Sequence, residues 1–194
     1  MAPMPALKPY LSVEDYLEDE REGDIRHEYG AGEAYAMAGA SDRHGLLAMA
    51  LGATLLPHAR KKRCQLFMAD MKVRIDDRGE SFFYYPDLLL ACDAEDRESA
   101  YYRRRPCLIV EIASPSTWRI DRTEKLAAYR SLHSLREYVL VHQNVRQIEV
   151  FRYPQNTHHI YGEGVFRLEC LEMDVAVDDV YADADAALDQ LQAK

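Results

Sequence analysis

The stretch Cys107-Leu108-Ile109-Val110-Glu111-Ile112-Ala113 is an apolar run with one carboxylate near its centre. Its length and its β-branched residues predict a buried core strand. Side chains alternate along a strand, so Glu111 should share a face with Ile109 and Ala113. An ionised carboxylate in a low-dielectric core is costly unless a cation neutralises it. The strand therefore needs a partner for Glu111, and the rest of the chain must supply it.

A second carboxylate, Asp87, stands in the same kind of context, in Tyr84-Tyr85-Pro86-Asp87-Leu88-Leu89-Leu90. If the two apolar runs are neighbouring strands, both acids could share one counter-ion, most simply a divalent metal held by oxygen ligands. The carbonyl of Ile112 could add a third oxygen. The alternatives for Glu111 are a buried arginine partner or a strand end wetted by solvent.

Two lysines are candidates for a catalytic cation. Lys125 follows the Glu111 strand on a predicted helix, from which it could reach back, orient an attacking water and stabilise an oxyanion. Its alternative role is a surface ion pair with Asp121, which lies four residues before it. Lys72, in a predicted strand, is the rival. Together with a bound Mg²⁺ or Mn²⁺, such groups are suited to phosphodiester hydrolysis.

Length and composition indicate one globular domain over residues 1–194, with acidic terminal segments. The chain has 194 residues, 48% of them hydrophobic, which suits a single core. No apolar run approaches the ~20 residues of a membrane span, and the first residues lack a signal-peptide core. We therefore expect no membrane association and a cytoplasmic location.

The net charge of −9 argues at first against a nucleic-acid partner. The negative charge, however, is concentrated in residues 14–24 and 169–194, which leaves a mildly basic centre. Basic clusters lie at residues 60–63 and 103–105, where they could contact phosphates or simply form a solvated helix end and a charged loop. The four cysteines are widely spaced without a CxxC pair, which favours reduced core residues over disulfides or zinc ligands.

The predicted elements alternate between helices and strands. Turn residues, caps and periodicity predict helices at 12–20, 41–62 and 121–133, with a kink or break at Pro57. The strand predictions are 26–29, 33–37, 65–68 and 71–75 within one stretch, 82–92, 107–113, 137–141, 147–153, 158–161 and 165–168. This order indicates an α/β (α+β) fold, with a mixed β-sheet flanked by helices. Residues 107–141 have the spacing of a β-α-β crossover.

Several blocks of the chain, in order, resemble a known family. The blocks are Arg-His-Glu-Tyr-Gly-Ala-Gly-Glu at 26–33, Ser-Asp-Arg-His-Gly at 41–45, Tyr-Pro-Asp-Leu at 85–88, Ile-Val-Glu-Ile-Ala-Ser-Pro-Ser-Thr at 109–117, Asp-Arg-Thr-Glu-Lys-Leu-Ala-Ala-Tyr at 121–129 and Leu-Arg-Glu-Tyr-Val-Leu-Val at 135–141. Together they resemble the Uma-type putative restriction endonucleases of the PD-(D/E)XK nuclease superfamily. The resemblance extends over nearly the whole chain and implies a restriction-endonuclease-like fold.

The resemblance also implies roles for individual residues. Asp87 matches the motif aspartate and Glu111 the acidic member of the ExK element, so both are implied metal ligands and catalytic residues. Ala113 stands where the superfamily has its lysine, and Lys125 from the following helix matches the lysine that this family is thought to recruit. Glu28 and His44 match two further positions.

Those two further positions have alternatives. Glu28 is a candidate metal ligand, but it could instead form an ion pair with Arg26 or cap the hairpin. His44 is a candidate for phosphate contact or proton transfer, but it could simply be a residue of the first turn of its helix.

The sequence thus predicts a Mg²⁺- or Mn²⁺-dependent endonuclease that hydrolyses DNA phosphodiester bonds. The resemblance further implies a homodimer. The alternatives are a catalytically inactive nuclease fold that serves as a binding or assembly module, and a metal-dependent hydrolase of another phosphate ester.

Overall fold

The computed structural model describes residues 10–37, 39–115 and 117–192. Within them the helices are α1 (Val13–Glu22), α2 (Asp42–Lys61), α3 (Trp118–Ile120), α4 (Leu126–Arg130) and α5 (Val177–Gln192), with a π-helical turn, Asp121–Lys125, between α3 and α4. The strands are β1 (His27–Gly30), β2 (Glu33–Ala36), β3 (Gln65–Met68), β4 (Lys72–Asp77), β5 (Glu80–Tyr84), β6 (Leu88–Ala91), β7 (Tyr102–Arg103), β8 (Leu108–Ala113), β9 (Glu137–His142), β10 (Ile148–Arg152), β11 (Thr157–Tyr161), β12 (Val165–Leu168) and β13 (Met173–Ala176).

The strands form two larger sheets and one small hairpin. A six-stranded sheet has the order β11-β10-β9-β8-β6-β3, a five-stranded sheet has the order β2-β1-β5-β4-β7, and β12 pairs with β13. The predicted class, a mixed α/β (α+β) fold flanked by helices, is confirmed. The strands, however, divide between two main sheets, and this division places the candidate site between them.

The Glu111 strand lies in the interior of the six-stranded sheet. It pairs with β6 in antiparallel and with β9 in parallel orientation. The chain between β8 and β9 forms the helical segment from α3 to α4, so the predicted β-α-β connection is confirmed. This connection carries Lys125 back towards the strand that precedes it.

The two faces of the six-stranded sheet have separate cores, as the alternation along β8 predicts. Leu108, Val110 and Ile112 pack with apolar residues of α2 and α5. Ile109 and Ala113 pack on the other face with residues of α4, β4 and β9. Because Glu111 lies on the same face of the strand as Ile109 and Ala113, it faces the helical segment and the five-stranded sheet.

Some predicted boundaries are wrong. The runs 65–68 and 71–75 were predicted to form one stretch, and 82–92 was predicted as another, but each stretch contains two strands that belong to different sheets. The first divides at a turn where Ala69 has φ 63°, and the second divides at Tyr85-Pro86-Asp87. Hydrophobic content alone does not show such a change of sheet.

Other differences concern the helices. Helix α2 continues past Pro57 to Lys61 without a break. The strand β13 and the helix α5 were missed, because the acidic composition of residues 169–194 obscured an apolar stripe that includes Val180, Tyr181 and Ala184. Ser12 begins the first helix as predicted, and of the two candidates Ser41 and Asp42 it is Ser41 that caps α2. The hydroxyls of Ser12 and Ser41 accept hydrogen bonds from Asp15 N and His44 N.

The prediction of reduced cysteines is wrong for two of them. Cys64 and Cys92 form a disulfide. Cys64 directly precedes Gln65 and Cys92 directly follows Ala91, and these two residues form a pair at the end of the β3–β6 ladder. The two cysteines are therefore close because of strand pairing, which their spacing in the sequence does not reveal. Cys107 and Cys170 are free thiols.

None of the helices in the described part of the chain combines the length and the apolar character needed to cross a membrane.

Candidate functional site

Glu111 lies at the centre of a buried polar cluster. Its exposed fraction is 4%. One carboxylate oxygen, Oε1, accepts a hydrogen bond from the hydroxyl of Tyr129 at 2.6 Å and another from Lys125 Nζ at 3.1 Å. The carboxylate is therefore neither paired with an arginine nor wetted at a strand end, the two alternatives that its sequence context left open.

Lys125 is the cation of this cluster. Its Nζ lies 2.8 Å from Glu28 Oε1 and 3.6 Å from Asp121 Oδ1, in addition to the contact with Glu111. The π-helical turn of residues 121–125 directs both Asp121 and Lys125 towards the sheet, and π-helical turns often occur at functional sites. The ion pair with Asp121 exists, but it is buried, since Lys125 is 7% exposed.

Asp87 is next to Glu111 because of the strand register. Leu88 pairs with Val110 in the antiparallel β6–β8 ladder, and continuing that register sets Asp87 opposite Glu111. Asp87 Oδ2 accepts a hydrogen bond from the backbone N–H of Ile112 at 2.6 Å. The two acids thus come together as the sequence predicts, and the backbone of Ile112 lies beside them.

His44 extends the cluster from the other side of Asp87. It lies in the first turn of α2, held there by the N-cap Ser41, and its Nε2 is 3.2 Å from Asp87 Oδ1. The hydrogen bond with Asp87 raises the pKa of His44, although burial opposes the shift. His44 is therefore both a first-turn residue, as its position indicates, and a member of the polar cluster.

Glu28 joins the cluster from the five-stranded sheet. Besides Lys125, its carboxylate accepts a hydrogen bond from Tyr85 N at 3.3 Å. The alternative partner Arg26 instead pairs with Asp70, with a distance of 3.5 Å between Nε and Oδ1. Glu28 therefore links the five-stranded sheet to the helical segment that carries Lys125.

Lys72, the rival lysine, belongs to a different cluster. Its Nζ donates to the Tyr85 hydroxyl at 3.0 Å, and that hydroxyl donates to Glu20 Oε1 at 2.7 Å. Burial lowers the pKa of Lys72. The geometry thus associates Lys125, and not Lys72, with Glu111.

The cluster holds several carboxylates around one ammonium group. Burial raises the pKa of Glu111 well above its usual value, and the carboxylates of Asp121, Asp87 and Glu28 raise it further, while Lys125 lowers it. Burial would lower the pKa of Lys125, but the adjacent carboxylates outweigh burial and raise it. Negative charge is therefore in excess, and Lys125 remains protonated.

This donor set fits a small divalent cation. Mg²⁺ is usually held by one or two carboxylates and keeps several waters, so Asp87 and Glu111 suffice when a carbonyl and waters complete the shell. In the described part of the chain, no three His, Cys, Asp or Glu side chains already converge as a metal cluster. The fit therefore depends on the two carboxylates and on the excess of negative charge, not on a preformed cage.

Two members of the cluster were not recognised as functional from the sequence. Asp121 was considered only as an ion-pair partner of Lys125, and Tyr129 was given no role of its own. Both lie four residues from Lys125, so both share its helix face. Helical spacing from Lys125 was the signal that could have identified them.

The arginine cluster at residues 103–105 does not present free positive charge. Arg104 pairs with Asp76 and Glu98, and Arg105 pairs with Asp93 and Glu95. Arg103 is 6% exposed and donates to backbone carbonyls and to Gln65. These contacts favour the interpretation of this cluster as a charged loop over the interpretation that it contacts phosphates.

Comparison with known proteins identifies the family. The model of the Uma2 family, described as "Putative restriction endonuclease", matches residues 13–176. The chain belongs to this family. The matched range includes every residue of the candidate site, from Glu28 to Tyr129.

Two relatives come from the cyanobacterium Synechocystis sp. The uncharacterized protein slr1290 is 34% identical over 143 residues, which cover 74% of this chain and 74% of that protein. The uncharacterized protein sll1609 is 28% identical over 143 residues, covering 73% of this chain and 80% of that protein.

A solved structure shares the fold. A crystal structure from Anabaena variabilis, described as a putative nuclease belonging to DUF820, superposes with a TM-score of 0.67. The alignment covers 84% of this chain and 93% of that one at 14% identity. At this identity the likeness establishes the nuclease-like fold alone.

Proposed function

We propose that the protein is a Mg²⁺- or Mn²⁺-dependent endonuclease that hydrolyses DNA phosphodiester bonds at the Glu111 site. The observation that carries this proposal is the buried cluster in which Asp87, Glu111 and Lys125 converge. Membership of the family of restriction-endonuclease-like proteins supports the reaction class. DNA as the substrate, a homodimer and a cytoplasmic location belong to the same proposal.

In this proposal Asp87, Glu111 and the Ile112 carbonyl hold the metal, with Glu28 as a further acidic ligand. When bound there, the metal supplies Lewis-acid stabilisation of the phosphate oxygens and lowers the pKa of a bound water. A divalent cation bound there would also offset part of the repulsion that the carboxylates of Asp121, Asp87 and Glu28 exert on Glu111.

The protein's own groups position the substrate and the water. Lys125 Nζ, held by Glu111, Glu28 and Asp121, can donate a hydrogen bond to the attacking water or to an oxygen on which charge develops. His44, held protonated to higher pH by Asp87, can donate to a phosphate oxygen. Tyr129 holds Glu111 in orientation and excludes water from its inner side.

The test is cleavage of supercoiled plasmid DNA by the purified chain with Mg²⁺, with Mn²⁺ and with a chelator. Wild type should nick or linearise the plasmid only with metal. Asp87→Asn and Glu111→Gln should each lower the rate about a hundredfold or more. The matched control is Glu137→Gln, because Glu137 is also a buried strand glutamate but contacts Cys170 N outside the site.

Three outcomes separate this proposal from its alternatives. Equal cleavage by wild type and both site variants would contradict the proposal that the Glu111 site carries out cleavage. DNA binding without cleavage under every metal condition would favour a catalytically inactive binding module. Metal-dependent hydrolysis of small phosphodiesters but not of DNA would favour a different phosphate-ester substrate.

A further inference from the structure

All four cysteines of the chain converge at one place, although they are far apart in the sequence. Cys64 and Cys92 form the disulfide, and Cys107 Sγ lies 3.3 Å from Cys92 Sγ. The thiol of Cys170 donates a hydrogen bond to the carbonyl oxygen of Cys107 at 2.8 Å. The free thiol of Cys107 thus touches one sulfur of an existing disulfide.

The strand order produces this convergence. Strands β3, β6 and β8 lie side by side, with Cys64 directly before β3, Cys92 directly after β6 and Cys107 directly before β8. The antiparallel pairing of β6 with its two neighbours therefore sets these three cysteines at the same end of the sheet. Asp87 and Glu111 lie towards the opposite end of β6 and β8.

The sulfurs differ in exposure. Cys92 is exposed, Cys64 and Cys107 are half-buried, and Cys170 is 7% exposed. Dissolved thiols and disulfides can therefore reach Cys92 first, while Cys107 approaches it from the protein side. An arrangement in which the reacting atoms are already about 3–3.5 Å apart favours reaction between them.

We propose that these cysteines form a thiol–disulfide exchange site in which Cys107 attacks the Cys64–Cys92 disulfide. The Cys107 thiolate attacks Cys92 Sγ, the Cys92–Cys107 bond forms and the Cys64–Cys92 bond breaks. Cys64 leaves as a thiolate and takes up one proton, which balances the proton that the Cys107 thiol released. One disulfide and one free thiol are present before and after, so the step needs no oxidant or reductant.

The environment of Cys107 supports its role as the nucleophile. The neighbouring Cys170 thiol lowers the pKa of Cys107, although burial opposes the shift. Since the thiolate is the attacking species, a lower pKa increases the reactive fraction near neutral pH. In reducing compartments, disulfides are usually transient and catalytic or redox-sensing, which agrees with an exchangeable bond.

Exchange would change which strands are joined covalently. The Cys64–Cys92 bond joins the edge strand β3 to β6, whereas a Cys92–Cys107 bond would join β6 to β8. Because β8 carries Glu111 and Asp87 directly precedes β6, the second bond would cross-link the two strands of the candidate nuclease site. The exchange proposal is nevertheless independent of the nuclease proposal, since its chemistry involves sulfur alone.

The test maps disulfides in the full-length chain purified without reductant. The protein is held at about pH 8, quenched with acid, alkylated, digested and analysed by mass spectrometry. Wild type should yield both Cys64–Cys92 and Cys92–Cys107 peptides, with alkylated Cys64 in proportion to the second. Cys107→Ser should abolish the second peptide and reduce Cys64 alkylation about tenfold or more. The matched control, Cys170→Ser, should retain the Cys92–Cys107 peptide.

A second variant gives a positive signal that does not depend on the stability of Cys107→Ser. In Cys64→Ser, a small-molecule disulfide should react with the Cys92 thiolate and release one thiol. Cys107 should then attack Cys92, release the second thiol and give a Cys92–Cys107 bond.

Two results would overturn the proposal. One is a wild-type protein with only the Cys64–Cys92 bond together with a Cys64→Ser variant that forms no Cys92–Cys107 bond. The other is a purified protein whose four thiols are protected by bound zinc until a chelator is added.

Discussion

Lys125 Nζ lies 3.1 Å from Glu111 Oε1, and both side chains are buried. The pair connects the strand β8 to the helical segment that follows it and places a cation beside the carboxylate of Glu111. A buried charge pair is weak evidence for stability on its own, because desolvation offsets much of the attraction. Its position beside Glu28 and Asp87 supports the proposed catalytic role of the pair.

Replacing Lys125 should affect cleavage far more than replacing Lys72. Lys125→Met leaves Glu111, Glu28 and Asp121 without their cation, which should cost about 3–5 kcal/mol of folding free energy and lower DNA cleavage about a hundredfold or more. Lys72→Met removes a lysine that is equally buried but contacts Tyr85, so cleavage should be retained. Urea unfolding and plasmid cleavage measure the two effects. Loss of cleavage in Lys72→Met with retention in Lys125→Met would reverse the assignment.

Divalent metal should stabilise Lys125→Met more than wild type. A ligand that binds the folded state raises the unfolding free energy according to its affinity, and the variant has stronger net negative charge around Glu111. We expect Mg²⁺ to raise the melting temperature of Lys125→Met by more than it raises that of wild type or of Lys72→Met. Identical shifts in the three proteins would show that the metal binds elsewhere or not at all.

Tyr129→Phe should weaken metal binding without removing a ligand. Its hydroxyl donates to Glu111 at 2.6 Å, and loss of such an orienting bond typically lowers metal affinity about 10- to 100-fold. Mn²⁺ titration measures the change. Tyr138→Phe is the matched control, since its hydroxyl donates to the backbone oxygen of Asp121 at 3.1 Å and not to Glu111. Equal affinities in Tyr129→Phe and wild type would refute the orienting role.

The contribution of Glu137 to stability should decrease as the pH rises. Burial raises the pKa of Glu137 in the folded chain, although a hydrogen bond from Cys170 N opposes the shift. A carboxyl group whose pKa is higher in the folded chain than in the unfolded chain stabilises the fold while it is protonated. This stabilisation is fully present below the pKa of the unfolded chain, about 4.3, and is lost as the pH rises through the pKa of the folded chain. Glu137→Gln stays neutral, so its unfolding free energy relative to wild type should increase from about pH 4 to about pH 7. A constant or decreasing difference in urea unfolding would contradict this assignment.

Local sequence patterns were sufficient for many of the elements and for the acidic pair. The apolar run around Glu111 predicted its strand and its face, and the capping residues Ser12 and Ser41 located two helix starts. The neighbouring positions of Asp87 and Glu111 also followed, because both acids interrupt apolar runs of strand length.

The sequence could not predict features that depend on long-range pairing. The division of residues 65–75 and 82–92 between two sheets, the Cys64–Cys92 bond and the approach of Glu28 to Lys125 all join segments through sheet order. The π-helical turn at 121–125 likewise has no periodic signal in the sequence.

The most direct test of the central claim is anomalous diffraction from crystals of the full chain soaked with Mn²⁺ at a concentration that supports cleavage. The account predicts one anomalous peak between the carboxylates of Asp87 and Glu111, with Lys125 Nζ nearby, and no such peak in Glu111→Gln crystals. A peak that lies away from both carboxylates, or a map without a peak at this site in an active protein, would contradict it.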